Sequence, residues 1–113
     1  MHELGLAEET LRLALAEAER QGGHRIHAFH LEVGSFSGVV ADALRFALET
    51  IITGTPAEGA QIAIDEIPAV GYCTHCARTF AVDGPGYACP RCGRICPELI
   101  QGRELRLVSM KVS

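Results

Sequence analysis

No apolar run in this chain approaches the roughly eighteen residues needed to cross a bilayer, so no membrane span is expected. The start, Met1-His2-Glu3-Leu4, lacks the basic stretch and apolar core of a secretory leader. A reducing cytoplasm is the expected compartment. Basic charge is scarce. Ten Lys and Arg stand against fourteen Asp and Glu, for a formal net charge of -4, and only Arg91, Arg94, Arg103 and Arg106 are even loosely grouped. Tryptophan is absent and aromatics are 5% of residues. Nucleic-acid binding relies on clustered cations and stacking rings, so no nucleic-acid partner is expected. There is no Ser-His-Asp set, no phosphate-cradling glycine loop and no convincing carboxylate pair, so no catalytic reaction is indicated. Repeats and low-complexity segments are missing too.

Cysteine is present, and its spacing is specific. Cys73-Thr-His-Cys76 and Cys89-Pro-Arg-Cys92-Gly93 are two C-x-x-C turns with twelve residues between them. Each turn carries two sulfurs, and two facing turns give the corners of a tetrahedron. That geometry suits Zn(II), which has no d-electron preference and binds thiolate at about 2.3 Å. Four protein ligands leave no open position for a substrate, so the expected site is structural. Two disulfides are the plain alternative, but nothing upstream supports a secreted context. Cys-Pro-x-Cys-Gly turns also hold iron in rubredoxin-like carriers, although the short separation fits a zinc ribbon better.

The rest of the chain reads as an α+β fold: two helices packed on a small three-stranded mixed sheet, with an inserted four-cysteine zinc-ribbon module. A first helix is predicted from about Leu4 to Arg20, with Leu4, Ala7, Leu11, Ala14, Leu15 and Ala18 on one face and Gly22-Gly23 ending it. A strand follows near Arg25 to Val33, with Phe29, Leu31 and Val33 on one side. Ser37 is the expected N-cap of a second helix, Val39 to Ile52, whose stripe is Val40, Ala43, Leu44, Ala47, Leu48 and Ile51. Gln61 to Ile67 is a second strand. Arg103 to Val112 is a third, with apolar groups on both faces, as in a strand covered on each side or carrying a bulge. The expected division is residues 1–70 plus 99–113 as one domain and 71–98 as the metal-binding one. The insert is too short to bury a core of its own, so its fold energy must come largely from the metal.

The first residues offer a second site. His2 is too large for Met1 to be removed, which leaves a free amine next to a histidine. The Met1 amine, the His2 backbone nitrogen and imidazole, and the Glu3 backbone nitrogen can make a plane of four nitrogens. Such a plane selects Ni(II) or Cu(II) over zinc. The Glu3 carboxylate is then close enough to assist. Equally, Met-His starts arise by chance, and a first-turn Glu is favoured by the helix dipole.

The motifs taken together resemble the HypA/HybF family of hydrogenase maturation nickel chaperones. The matching stretches are Met1-His2-Glu3-Leu4, Leu31-Glu32-Val33-Gly34-Ser35-Phe36-Ser37-Gly38, Ala43-Leu44-Arg45-Phe46-Ala47, Pro68 ahead of the two cysteine pairs, and Gly102-Arg103-Glu104-Leu105. Their order and spacing hold from end to end. The resemblance implies a nickel metallochaperone in which His2 is the principal Ni(II) ligand, with the Met1 amine and nearby backbone nitrogens. Glu3 would support binding or partner contact. It implies Zn(II) on Cys73, Cys76, Cys89 and Cys92. It implies delivery, with a HypB-type GTPase, to the large subunit of a [NiFe] hydrogenase, and in some organisms service to urease. Monomers and homodimers, including segment-swapped ones, are implied as well, and an insert on two short connectors makes a reasonable swap hinge. The competing reading is a zinc-ribbon protein-interaction module with no part in nickel delivery.

The remaining candidates carry less. His27 and His30 differ in strand parity and are expected on opposite sides of the sheet, with His24 nearby. His75 lies inside the first cysteine turn, as exposed filler or as a group that tunes the site or links it to nickel. Cys96 is an odd fifth cysteine: an incidental reduced thiol, a swapped zinc ligand, or a soft ligand for metal in transit. Asp65, Glu66, Glu8 and Glu9 read as solvated faces.

Overall fold

The computed structural model describes residues 2–96 and 98–113. Helix α1 runs over His2–Arg20. It buries Ala7, Leu11, Ala14 and Ala18, one residue per turn along a single stripe, and leaves Leu4 partly exposed. Gly22, at φ +79, ends it, and the Gly23 N–H returns to the Ala18 carbonyl at 2.8 Å. Strand β1, Ile26–Gly34, is the middle of a mixed sheet. It pairs in parallel with β2, Gln61–Ile67, and antiparallel with β6, Leu105–Val112. The parallel pairing needs a crossover, and helix α2, Ala41–Ile51, supplies it. The core lies between the two helices and one face of this sheet, and Phe29, Ile26, Leu31, Leu44, Leu48 and Val33 are its largest fully buried side chains. Removing a ring as large as Phe29 from such a place costs about 3–5 kcal/mol.

Strand β6 lies at the sheet edge and carries a bulge: His30 faces Ser109 while Leu31 faces Leu107, which leaves Val108 as the extra residue. Its outward groups are exposed, so the bulge accounts for the mixed pattern and covering on both sides does not. A second bulge sits in β1 between Ile26 and Ala28. Because of it Ile26 and Phe29 both point inward, and strict parity fails across His27. His27 and His30 therefore both lie off the buried face, not on opposite sides as alternation alone suggests. Their partners are separate: His27 Nε2 meets Ser113 Oγ at 2.6 Å, and His30 Nε2 meets Asp65 Oδ2 at 2.7 Å. Arg106 pairs with Glu32 across the same outer face at 2.6 Å.

Helix α2 starts later than predicted. Its N-cap is Val40, which is 61% exposed and offers no side-chain cap. Ser37 instead closes a short turn, its Oγ accepting the Val39 N–H at 3.1 Å. The buried stripe is Leu44, Ala47, Leu48 and Ile52, so Val40 is not part of it.

Between β2 and β6 the chain forms a second, smaller sheet. β3, Val70–Cys73, is its centre, flanked by β4, Arg78–Ala81, and β5, Leu99–Gln101. The two sheets are joined where the chain leaves at Ala69 and returns at Gly102. There Gly102, at φ +118, has the Ala69 Cα only 2.6 Å from where a Cβ would stand. A Cβ on Gly34 would run into the Gly102 carbonyl. The Phe36 N–H donates to that carbonyl oxygen at 2.7 Å, and the Gly34 N–H to the Glu104 carbonyl at 2.7 Å. Arg103 donates to the Tyr87 hydroxyl and lies over its ring, 5.9 Å from the centroid, while Phe36 packs on the same ring with centroids 6.2 Å apart. Three segments far apart in sequence thus meet with no side chain between their backbones.

Candidate metal centre

The two C-x-x-C turns face each other. The Sγ atoms of Cys73, Cys76, Cys89 and Cys92 all lie within 4.8 Å of one another, and Cys73 and Cys92 are 3.6 Å apart. A zinc tetrahedron with bonds of about 2.3 Å has sulfur edges of about 3.8 Å, so the donor set fits the ion in type, number and spacing. Strand β3 delivers Cys73 at its last residue, and the turn that follows carries Cys76 before β4. The second turn closes through the Gly93 N–H on the Cys89 carbonyl at 2.8 Å. Gly93 takes φ +78, and at the matching place after Cys76 stands Ala77 at φ 54. An ordinary residue there costs about 1–2 kcal/mol. Backbone strain is therefore stored beside the first pair, a position that C-x-x-C spacing does not disclose.

The turns also set the charge of the sulfurs. The Cys76 N–H points at the Cys73 sulfur from 3.4 Å, and this contact draws the Cys73 thiol below its usual range. The Cys92 N–H, aided by that of Arg91, lowers Cys89 to about 7. Cys76 is pushed up to about 12, first by burial and then by the neighbouring sulfurs. Backbone amides thus favour the thiolate at the first cysteine of each pair, whereas burial disfavours it at Cys76.

The N-terminal candidates are placed differently. Met1 lies outside the described residues. His2 is the first residue of α1, with its side chain 59% exposed and Nδ1 3.6 Å from Glu3 Oε2. The Glu3 side chain is only 12% exposed, because it leans on the start of α2, where its Oε2 accepts the Val40 N–H at 3.2 Å. That N–H holds the Glu3 carboxyl below the usual carboxylate range. The glutamate thus satisfies a donor at an uncapped helix start that the sequence assigned to Ser37. Thirty-seven positions separate the two groups, and no local pattern announces the contact. Among the described residues the cysteine set is the sole group of three or more His, Cys, Asp and Glu side chains close enough to share an ion. His24, His27 and His30 do not join it. His75 is exposed on the first turn, and Cys96 is buried beside the set without belonging to it.

Comparison with known proteins agrees along the whole chain. Residues 1–112 match a family model described as hydrogenase/urease nickel incorporation, metallochaperone, hypA. The chain is 42% identical over 112 residues to the hydrogenase maturation factor HypA of Chloroflexus aurantiacus, covering 98% of each. It is 39% identical to that of a Picosynechococcus species, with 99% of each covered. Its fold is similar to the solution structure of the Ni metallochaperone HypA from Helicobacter pylori, with a TM-score of 0.67 at 20% identity over 97% of this chain and 96% of that one. It is similar also to a second solution structure of a HypA protein, with a TM-score of 0.73 at 23% identity over 100% and 97%. None of the described helices is long and apolar enough to cross a membrane.

Proposed function

The chain belongs to the HypA family of nickel-incorporation metallochaperones, and from that premise we propose where it holds its metals and how it passes one on. Its role is that of a nickel metallochaperone in hydrogenase maturation. In our reading it is a carrier and performs no catalytic step. Ni(II) is its cargo, taken by the Met1 amine, the His2 backbone nitrogen and imidazole, and the Glu3 backbone nitrogen. The observation that supports this is the exposed His2 at the head of α1, where the first amides have no partner within the helix. In a helix successive N–H groups run parallel to the axis, so chelation by adjacent amides requires the first turn to unwind. Unwinding moves Glu3, and with it the bond to Val40. Nickel loading is then felt at the start of α2.

Zn(II) is assigned to Cys73, Cys76, Cys89 and Cys92, supported by four sulfurs converging to within 4.8 Å. When bound, zinc would offset half of the four thiolate charges and tie the two turns together. We divide the chain into a nickel-binding part, residues 1–70 with 99–113, and a zinc-binding part, residues 71–98. β3 leads into the latter, and β5, the first strand after it, pairs with β3 across its base. A HypB-type GTPase and the large subunit of a [NiFe] hydrogenase are the proposed partners, in the cytoplasm. A homodimer formed by exchange of the zinc-binding part is the proposed higher state. Release at a chain end meets few packing contacts, so a recipient with more or softer ligands can take the ion by stepwise exchange.

The test is a Ni(II) titration of tag-free protein beside His2→Ala and an N-terminally extended form. The tight site should vanish in both variants with zinc content unchanged, and the Val40 amide resonance should move on loading in the native form alone. Equal nickel binding in all three would remove the N-terminal site and leave a zinc-ribbon interaction module.

A further inference from the structure

Five thiols occupy the second sheet and its turns, whereas a tetrahedral ion takes four. The fifth, Cys96, is only 4% exposed and packs in one cluster with Cys73 and Cys89. Its backbone is pinned there. The Cys96 N–H donates to the Tyr87 carbonyl at 2.8 Å, next to a bridge between Ala88 and Ile95. Its thiol donates a long hydrogen bond to the Arg94 carbonyl oxygen at 4.0 Å. A pocket of about 350 Å³ is lined by Cys73, Thr74, His75, Arg94, Ile95 and Cys96. Cys73 and Cys96, 1% and 4% exposed, stand together in its wall, while Cys89 does not.

We propose that Cys96 is the resolving thiol for oxidation at Cys73, so that hydrogen peroxide converts the two into a disulfide and loosens the metal. This rests on the reading of the four converging cysteines as a zinc site. The Cys73 sulfur attacks one peroxide oxygen. The O–O bond breaks, a sulfenic acid forms, and the leaving hydroxide takes a proton from solvent to become water. The Cys96 sulfur then attacks the sulfenic sulfur. An S–S bond forms, the S–O bond breaks, and the hydroxyl departs as water with the Cys96 proton. Two thiol groups have supplied two electrons, and one peroxide has become two waters. Any of the other three cysteines would have to leave the metal before it could attack, but Cys96 has no metal bond to break. The product leaves three thiolates for the ion, and a dithiol reductant restores the fourth.

The experiment uses zinc-loaded, full-length protein whose zinc content is measured first. Equimolar hydrogen peroxide is added, release is followed with a chromophoric chelator, and peptides are mapped without reduction. The expected result is a dominant Cys73–Cys96 link that forms in step with zinc release, both reversed by dithiothreitol. Cys96→Ser should begin with the same zinc content and lose it several times more slowly. A dominant link between two of the four converging cysteines, such as Cys73 with Cys92, overturns the inference, as does release from Cys96→Ser at the native rate. If that variant does not fold, the native peptide map decides alone. Protein that holds no zinc at the outset refutes the metal reading and this inference with it, whereas zinc present without a Cys96 link refutes the inference only.

Discussion

Replacing Gly102 by alanine should cost far more than the loss of one glycine suggests. The residue sits at φ +118, outside the basins open to alanine, and such placements cost about 1–3 kcal/mol. The new Cβ would also stand 2.6 Å from the Ala69 Cα and 2.9 Å from its Cβ. These atoms belong to buried backbone and a buried methyl, so no side chain can rotate aside. Overpacking of that kind adds roughly 1–3 kcal/mol, for a total near 4 kcal/mol. For a chain of this size that is a fall in Tm of about 15 °C. Gly86→Ala is the control. Gly86 has a positive φ of +77, but nothing lies within 4 Å of its added Cβ, so only about 1 kcal/mol is expected. Thermal melts of the zinc-loaded proteins by circular dichroism make the comparison. If the two variants melt within a few degrees of each other, Ala69 gives way freely and the crossing of the connectors is not a fixed point.

Three other outcomes can be checked. Glu3→Gln should lower stability at neutral pH and match the native protein in acid. The depressed Glu3 pKa contributes stability that is present above the unfolded value and lost as pH falls through the folded one, so a gap between the two melts that persists at low pH would contradict it. Stripping the zinc with a chelator should collapse the amide signals of β3, β4 and β5 while those of α1 and β1 stay, and unchanged β3 signals would show a module that folds without metal. Nickel affinity should fall from about pH 8 to pH 6, because amine, imidazole and amide nitrogens must lose protons to bind, and a flat profile would reject that ligand set.

Long periodic segments were legible in the sequence. The burial of Ala7, Leu11, Ala14 and Ala18, of Phe29, Leu31 and Val33, and of Leu44, Ala47 and Leu48 follows from spacing alone. So does the convergence of the four cysteines, because C-x-x-C fixes each turn and two such turns make a tetrahedral sulfur set. What stayed hidden was set by distance in the chain. Strands β3, β4 and β5 are three or four residues long, too short to show a period, and their pairing depends on turns and connectors. Ser37 and Val40 were misplaced because the donor at the head of α2 is met by Glu3 from another helix. The bulges at His27 and Val108 broke the alternation on which facing was read. The two glycine-bearing motifs, Gly34 to Gly38 and Gly102 to Leu105, looked like separate signatures. Physically they are one contact, since a Cβ on either would strike the backbone of a neighbouring segment.

The bulge in β6 has a consequence for growth. An outermost strand is a template on which a second chain can lay its own, and unchecked repetition of that step makes fibres. In β6 the straight run is broken at Val108, and Arg106 and Lys111 set positive charge on either side of the break. A second copy laid antiparallel along it would find a twisted, interrupted ladder and cation opposite cation. This edge of the first sheet is thus a poor seed for sideways polymerisation.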